Sequence, residues 1–144
     1  MDCPLCADDG GTLVARTREW RVVLAAEPDY PAFTRVIWNA HVAEMSDLDA
    51  ATCAALMRVV LAVEQVQRAV LWPDKINLAS FGNLVPHLHW HVIPRWHDDR
   101  HFPEPVWGRA TVGRDAAVEA RRASVAARLP TYLEALVQTL HPGV

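Results

Sequence analysis

The chain has 144 residues, which is enough to bury one core but too few for two ordinary domains. Apolar residues make up 51% and charged residues 22%, and the formal net charge is -3, so the surface lacks the basic patch that duplex binding needs. We therefore expect a single domain over residues 1–144 and no nucleic-acid polymer as a partner. No apolar run approaches the roughly 20 residues that cross a bilayer, and no basic-then-apolar signal segment opens the chain. We expect no membrane contact and a cytoplasmic location.

The first third of the chain is predicted to form three strands. Residues 11–16 and 20–25 are joined by a short polar turn, which is typical of a hairpin. Two prolines then break regular structure before a third strand at residues 33–38.

A long helix follows these strands. We predict Ser46 as its N-cap, with Asp49 three residues later, and Pro73 ends the helix near Trp72. Apolar residues recur between these limits at helical spacing, namely Leu56, Val59, Val60, Val63, Val66 and Val70.

Two further strands are predicted at residues 75–80 and 87–94. The turn between them, at residues 81–83, is too short for a crossover, so the two strands should pair antiparallel. An ordered loop at residues 95–107 follows the second strand.

The end of the chain has the spacing of helices, at residues 115–129 and again at 130–140. The expected fold is α+β: an antiparallel meander of about five strands packed on one long helix, with a helical C-terminal tail.

Three histidines at alternate positions are the most informative feature of the sequence. In a strand His87, His89 and His91 would share one face, and the apolar residues between them would bury the other: Leu88, Trp90 and Val92. A single histidine in a strand is usually structural, but five of the seven histidines fall within residues 87–101. Because imidazole transfers protons, binds metals and attacks electrophiles near neutral pH, the row indicates chemistry.

A second candidate site begins at the N-terminus. Cys3 and Cys6 have the spacing with which two thiolates bind one zinc ion, and His41 and His87 would complete a Cys₂His₂ set. The pair could instead be redox-active or carry no metal, although no thioredoxin-like pattern follows it. A catalytic zinc on two alternate histidines of the strand is a rival interpretation and would need a third histidine ligand. Cys53, inside the long helix, is predicted to be a small core residue.

The segment from His87 to Ile93 resembles the His-φ-His-φ-His-φ-φ signature of the histidine-triad (HIT) superfamily of nucleotide hydrolases and transferases, where φ is apolar. The order of the other features is also similar, from the cysteine pair through His41 and the long helix to the strand before the triad. The resemblance covers about residues 3–97, the triad core, and leaves residues 98–144 as a C-terminal loop and helices. It is closest to the zinc-binding, CxxC-containing bacterial-type branch.

The resemblance implies a role for each site residue. His89 would attack the α-phosphorus of a nucleotide derivative and carry the nucleotidyl group, and His91 would bind phosphate oxygens or the leaving group. Asn77, Gly82 and Asn83 would bind the same phosphate. Cys3, Cys6, His41 and His87 would hold a structural zinc.

The resemblance also implies a homodimer, and it has two departures. Many relatives carry Gly-Gln where this chain has Gly82-Asn83, and Trp38 stands where the strand before His41 often ends in proline. The expected function is hydrolysis of a dinucleoside polyphosphate or nucleoside phosphoramidate, with magnesium bound with the substrate as a candidate cofactor. The alternatives are a nucleotidyl transferase or phosphorylase, and a nucleotide-binding regulatory module with little turnover.

Overall fold

The structure, a computed structural model, describes residues 2–141 and contains five strands and three α-helices. The strands are β1 (Thr12–Arg16), β2 (Trp20–Leu24), β3 (Thr34–Trp38), β4 (Lys75–Ala79) and β5 (His89–Arg95). The helices are α1 (Pro4–Ala7), α2 (Ala50–Leu71) and α3 (Ala116–Leu140).

All five strands form one antiparallel sheet, which confirms the α+β class. The strand order is β1-β2-β3-β5-β4, so the predicted meander is corrected at its end. After β3, helix α2 carries the chain to the far edge of the sheet, where β4 forms the border. Strand β5 then returns between β4 and β3. The strand that carries His89 and His91 is therefore held by hydrogen bonds on both sides.

Helix α2 begins later than the sequence pattern indicates. The expectation of Ser46 as N-cap is wrong, because Met45–Asp47 forms a separate 3₁₀ turn. The N-cap is Asp49, whose side chain accepts a hydrogen bond of 2.8 Å from the amide of Thr52. Glu44 and Asp47 form a reciprocal capping box on the 3₁₀ turn. Ser46 lies inside this turn and so is not at the position that caps α2.

Helix α3 is continuous, so the expectation of two C-terminal helices is wrong. Pro130 lies inside it and removes the amide that would bond to the carbonyl of Ala126. Pro130 is on the exposed side, where water can reach that carbonyl. The opposite side buries Val125, Tyr132 and Leu136 against α2 and the sheet, and this packing keeps the helix intact.

By length and composition alone, α2 would suit a membrane span, although Arg58, Glu64 and Arg68 interrupt its apolar residues. Its apolar residues Leu56, Val60 and Val63 pack into the main core with the sheet and α3. Arg58 and Arg68 are exposed on other sides of the helix. We therefore interpret α2 as the core helix of the domain.

The two faces of the sheet have different covers. Val22, Val36 and Val92 point to the layer formed by α2 and α3. On the other face Val23 and Ile37 pack under the N-terminal segment, in contact with Leu5. The histidines of β5 belong to this second face, which the helices leave open.

A buried polar network joins the helices to the sheet. The side-chain amide of Gln67 in α2 donates to the carbonyl of Val92 at 2.9 Å and to the hydroxyl of Tyr132 in α3 at 3.0 Å. The hydroxyl of Tyr132 also lies 2.7 Å from that of Thr34 in β3. Because burial raises the pKa of Tyr132, this hydroxyl remains protonated and can donate to Thr34.

We expect Tyr132→Phe to lower the free energy of unfolding by about 1–3 kcal/mol, because it leaves the buried Gln67 and Thr34 groups short of a partner. The control is Val137→Ala on the exposed side of the same helix, where we expect a change within about 0.5 kcal/mol. Urea unfolding of the three proteins measures the difference. Equal midpoints for Tyr132→Phe and the wild type would contradict the network's role.

Candidate functional site

A cleft of about 380 Å³ lies on the sheet face opposite the helices. His89 and His91 of β5 and Arg35 of β3 form its floor. The loop between β4 and β5 forms one wall with Gly82 and Asn83, and two aromatic rings border the cleft, those of Phe81 and Trp107. The lining combines two imidazoles and a guanidinium with apolar surface, which suits a ligand that is anionic in one part and planar in another.

One hydrogen bond fixes the orientation and tautomer of His89. Its Nδ1 lies 2.5 Å from the carbonyl oxygen of His87. A carbonyl can only accept, so Nδ1 carries the proton and Nε2 keeps the lone pair. Burial lowers the pKa of His89, and the positive charge of Arg35 lowers it further. The ring is neutral near pH 7, with Nε2 available as a nucleophile.

His91 is the most buried group in the cleft, with 5% of its surface exposed. Its ring centroid lies 4.9 Å from that of His89 and 4.9 Å from that of Trp107. Burial first, and then the charges of His89 and Arg35, lower the pKa of His91 to about 3. Its Nδ1 is buried and has no hydrogen-bond partner among the described residues. His91 is therefore a neutral imidazole with unused hydrogen-bonding capacity.

The sequence predicts a row of three histidines on one strand face, but only two of them lie on that face of β5. His87 precedes β5, and its fully buried ring turns away from the cleft, with Nε2 donating to the carbonyl of Trp38 at 2.6 Å. Only His89 and His91 share the cleft. Trp90, between them, points to the core side as expected and donates to the sulfur of Met45.

Of the three residues expected to bind phosphate beside the histidines, two line the cleft. Gly82 has a φ of 73°, a left-handed conformation that favours glycine, and it brings Asn83 to the cleft wall. Asn77 is placed elsewhere: its side-chain oxygen accepts a 2.8 Å hydrogen bond from Arg95. The bond from Arg95 uses the oxygen of Asn77 and not its NH₂ group, so the expected contact of Asn77 with phosphate stays a prediction.

Arg95 belongs to a buried ion pair that organises the loop after β5. Its guanidinium donates to both carboxylate oxygens of Asp99, at 2.7 and 3.1 Å, and to the carbonyl of Glu104 at 2.8 Å. Asp99 also accepts from the amides of His101 and Phe102. The loop is therefore ordered, and it places Trp107 against His91.

Sequence reasoning missed three residues of the cleft: Arg35, Phe81 and Trp107. For Arg35 a signal was available, because it alternates with Phe33 and Ile37 along β3 and so had to face the same side as two buried apolar residues. Phe81 and Trp107 lie in loops, and no periodicity connects them. Their rings meet edge to face with centroids 5.0 Å apart.

The cysteine pair meets its two predicted histidine partners. One ligand atom from each of Cys3, Cys6, His41 and His87 lies within 4.8 Å of all the others. The Sγ of Cys3 is 3.4 Å from Nδ1 of His87, and the Sγ of Cys6 is 3.4 Å from Nδ1 of His41. The two histidine Nδ1 atoms are 3.2 Å apart.

These distances fit zinc. Tetrahedral zinc with Zn–N bonds of about 2.0–2.1 Å and Zn–S bonds of about 2.3 Å puts neighbouring donors roughly 3.3–3.8 Å apart. The bond from Nε2 of His87 to Trp38 leaves the Nδ1 lone pair facing the cluster, as a ligand requires. Burial lowers the pKa of His87, which favours the neutral, ligating form. Because all four positions are filled by protein donors, the cluster has the character of a structural site.

The N-terminal segment is also anchored by an arginine that sequence reasoning did not single out. Arg21 of β2 is buried and donates to the backbone carbonyls of Leu5, Asp8 and Asp9 and to the side chain of Asn39. This set of bonds holds the cysteine-bearing segment against the sheet.

Comparisons with known proteins agree with this fold. The model of the HIT domain family matches residues 10–98, more than half of the chain, so the chain belongs to the HIT domain family. An AP-4-A phosphorylase of Mycobacterium tuberculosis is 30% identical over 117 residues, which cover 77% of this chain. The match spans 60% of the length of that relative.

Solved structures share the architecture. A histidine triad protein from Bradyrhizobium japonicum superposes with a TM-score of 0.72 at 26% identity, covering 92% of each chain. A Zn-bound histidine triad family protein from Mycobacterium smegmatis gives a TM-score of 0.57 at 24% identity, covering 91% of this chain and 97% of its own. At 24% identity, the similarity to the Mycobacterium smegmatis protein shows the fold alone.

We expect the purified protein to carry about one zinc ion per chain and Cys6→Ala to lose most of it, together with thermal stability, because a ligand is missing. Cys53→Ala is the matched control, since the Cys53 thiol lies outside the cluster and contacts the carbonyl of Met45. Elemental analysis and thermal unfolding measure both effects. Metal-free wild-type protein of undiminished stability would contradict the expectation.

Proposed function

We propose that this protein cleaves nucleotide derivatives at the α-phosphate, through a covalent nucleotidyl intermediate on His89. The substrates would be dinucleoside polyphosphates or nucleoside phosphoramidates, and water would complete the reaction. The observation that carries the proposal is the bond from Nδ1 of His89 to the carbonyl of His87, which leaves the Nε2 lone pair for the cleft. Membership of the HIT family and the similarity to an AP-4-A phosphorylase support nucleotide processing.

In the first step the Nε2 lone pair of His89 forms a bond to the α-phosphorus, and the bond from phosphorus to the leaving group breaks. The leaving group takes the bonding electrons and, where its basicity requires, a proton. In the second step water attacks the phosphorus, the P–N bond breaks, and its electrons return to Nε2. A nucleoside monophosphate is released, and the proton lost by water goes to solvent or to the phosphate.

His91 and the loop before β5 would stabilise the charge on phosphorus. A neutral His91 can donate one hydrogen bond to a phosphate oxygen, and a bound anion raises its tendency to hold a second proton. Asn83 offers a side-chain amide from the cleft wall, and Gly82 permits close approach of the backbone. Asn77 lies outside the cleft lining, but the bond from Arg95 to its side-chain oxygen leaves its NH₂ group to donate to a substrate phosphate.

The aromatic border suits the base of a nucleotide. Phe81 and Trp107 are 58% and 50% exposed, which is unusual for such large apolar side chains and leaves their faces available for stacking. The cleft lining contains no carboxylate among the described residues, so any magnesium would enter bound to the polyphosphate.

Zinc would stabilise the fold around the cleft rather than take part in the reaction. The donor distances support it, and a Zn-bound relative with the same fold agrees with them. When bound, the metal would cross-link the N-terminal segment to His87, whose carbonyl orients His89.

A phosphorylase is the second candidate, supported by the name of the relative from M. tuberculosis. The two activities share the His89 intermediate and differ in whether water or phosphate attacks it. Diadenosine tetraphosphate separates them when assayed with inorganic phosphate present: AMP and ATP indicate water, whereas ADP and ATP indicate phosphate. Binding without either product indicates a regulatory module.

We expect His89→Ala to abolish turnover but retain nucleotide binding, because the attacking nitrogen is gone. His91→Ala should lower kcat by about 10²–10⁴-fold, because it removes a donor to the phosphate or leaving group. His97→Ala, a histidine largely exposed outside the cleft, is the control and should keep wild-type rates. Turnover is followed by product analysis of diadenosine tetraphosphate and adenosine phosphoramidate.

Double displacement also requires retention of configuration at phosphorus. Inversion with a chiral phosphorothioate substrate, or wild-type rates for His89→Ala, would contradict the nucleophile assigned here.

We also propose a two-fold homodimer through the edge of the sheet at β4. This edge is unpaired within the described residues, and β4 carries the exposed apolar side chain of Leu78. Leu78→Lys should shift the protein towards the monomer in sedimentation, whereas Val137→Lys on α3 should leave the mass unchanged. A monomeric wild type across micromolar concentrations would contradict the dimer.

A further inference from the structure

Arg35 is a half-buried charge that forms no ion pair with the described residues. Its Nε atom is inaccessible and makes no hydrogen bond within residues 2–141, and the one hydrogen bond of its guanidinium goes from NH1 to the carbonyl of Gly10 at 3.0 Å. No carboxylate of the described residues lies within ion-pair distance of it. Burial lowers the pKa of Arg35, and the negative charge of Glu27 offsets this effect only in part.

The two buried arginines of the sheet differ from Arg35, because protein groups accept their hydrogen bonds. Arg21 donates to three backbone carbonyls and an asparagine, and Arg95 makes a bidentate pair with Asp99. Both are fully used by the fold. Arg35 keeps donors that no protein group occupies, in the floor of the cleft.

The position of Arg35 relative to the histidines is set by strand register. Arg35 pairs directly with His91 across β3 and β5. His89 pairs with Ile37, two residues further along the same strands. Neighbouring strands are about 4.8 Å apart, so Arg35 lies beside His91 and diagonal to His89. A phosphate held at His89 would leave the next phosphate of a polyphosphate within reach of Arg35.

We infer that Arg35 binds the phosphate of the leaving group, and that the cleft therefore favours substrates with two or more adjacent phosphates over phosphoramidates. The inference rests on the proposed function. Charge grows on the leaving phosphate as the bond to the α-phosphorus breaks, and a guanidinium in a partly dry cleft stabilises it. A phosphoramidate releases a neutral or cationic amine, which gains nothing from Arg35.

Two substrates with the same adenylyl group provide the test: diadenosine tetraphosphate and adenosine 5′-phosphoramidate. We expect Arg35→Gln to lower kcat/KM for the tetraphosphate by about 10²-fold or more and for the phosphoramidate by less than about 3-fold. Arg35→Lys should recover part of the loss, because it restores the charge without the planar fork. Arg58→Gln, an exposed arginine on α2, is the control and should change neither value.

Equal losses on both substrates, or no loss on either, would overturn the inference. Arg35→Met retains the aliphatic stem beside the ring of Phe33 and replaces Arg35→Gln if that variant fails to fold.

Calorimetric binding of ATP and AMP separates this inference from the proposed reaction. ATP should bind the wild type at least about 10-fold more tightly than AMP, and Arg35→Gln should remove the preference. If the wild type prefers ATP but turns over neither substrate, the proposed reaction is refuted and the phosphate subsite stands. If the wild type binds ATP and AMP equally well, the phosphate subsite is refuted.

Discussion

His87 is the residue on which the arrangement of the site depends, because it connects three parts of the molecule. Its backbone carbonyl accepts the proton of His89 and so selects the tautomer of the catalytic candidate. Its ring donates from Nε2 to Trp38 at the end of β3, and its Nδ1 faces the cysteines. A histidine with both ring nitrogens engaged has little freedom to rotate, and its main chain is fixed with it. The cysteine–histidine cluster therefore bears on the geometry of the proposed nucleophile, which lies on the other side of His87.

One face of the sheet forms the main core, and the other carries the candidate site. The face under α2 and α3 buries a continuous apolar core, and the Gln67–Tyr132–Thr34 network ties that core together. The opposite face carries polar groups that a core would not tolerate, and the N-terminal segment and the loop after β5 cover it only in part. Each cover is held by a buried arginine, Arg21 for the first and Arg95 for the second. The cleft is the gap that these two covers leave between them.

Much of this could be predicted from sequence, and the failures have physical causes. The strands, the long helix and the cysteine pair follow from periodicity and ligand spacing, which are local signals. The histidines that join the cysteines lie 35 and 81 positions from Cys6, and they were inferred from their residue type and from the resemblance. Ser46 failed as a cap because a capping box on the preceding turn competes for the same segment. Pro130 failed as a boundary because tertiary packing outweighs the loss of one hydrogen bond at an exposed position. The bond from Arg95 to the side-chain oxygen of Asn77 could not be predicted, because no local pattern connects residues on two different strands.

The pairing of the first residues with His87 has a consequence for how the protein folds. Cys3 and His87 are 84 positions apart, and Thr34 and Tyr132 are 98 apart, so both links close very long loops. Contacts of such separation form late and slow the search for the native state. The pairing of β3 with β5 brings together the strand before His41 and the strand after His87. We therefore expect this pairing to precede the meeting of the cysteines with their histidines, and α3 to complete the core only once the last quarter of the chain is present.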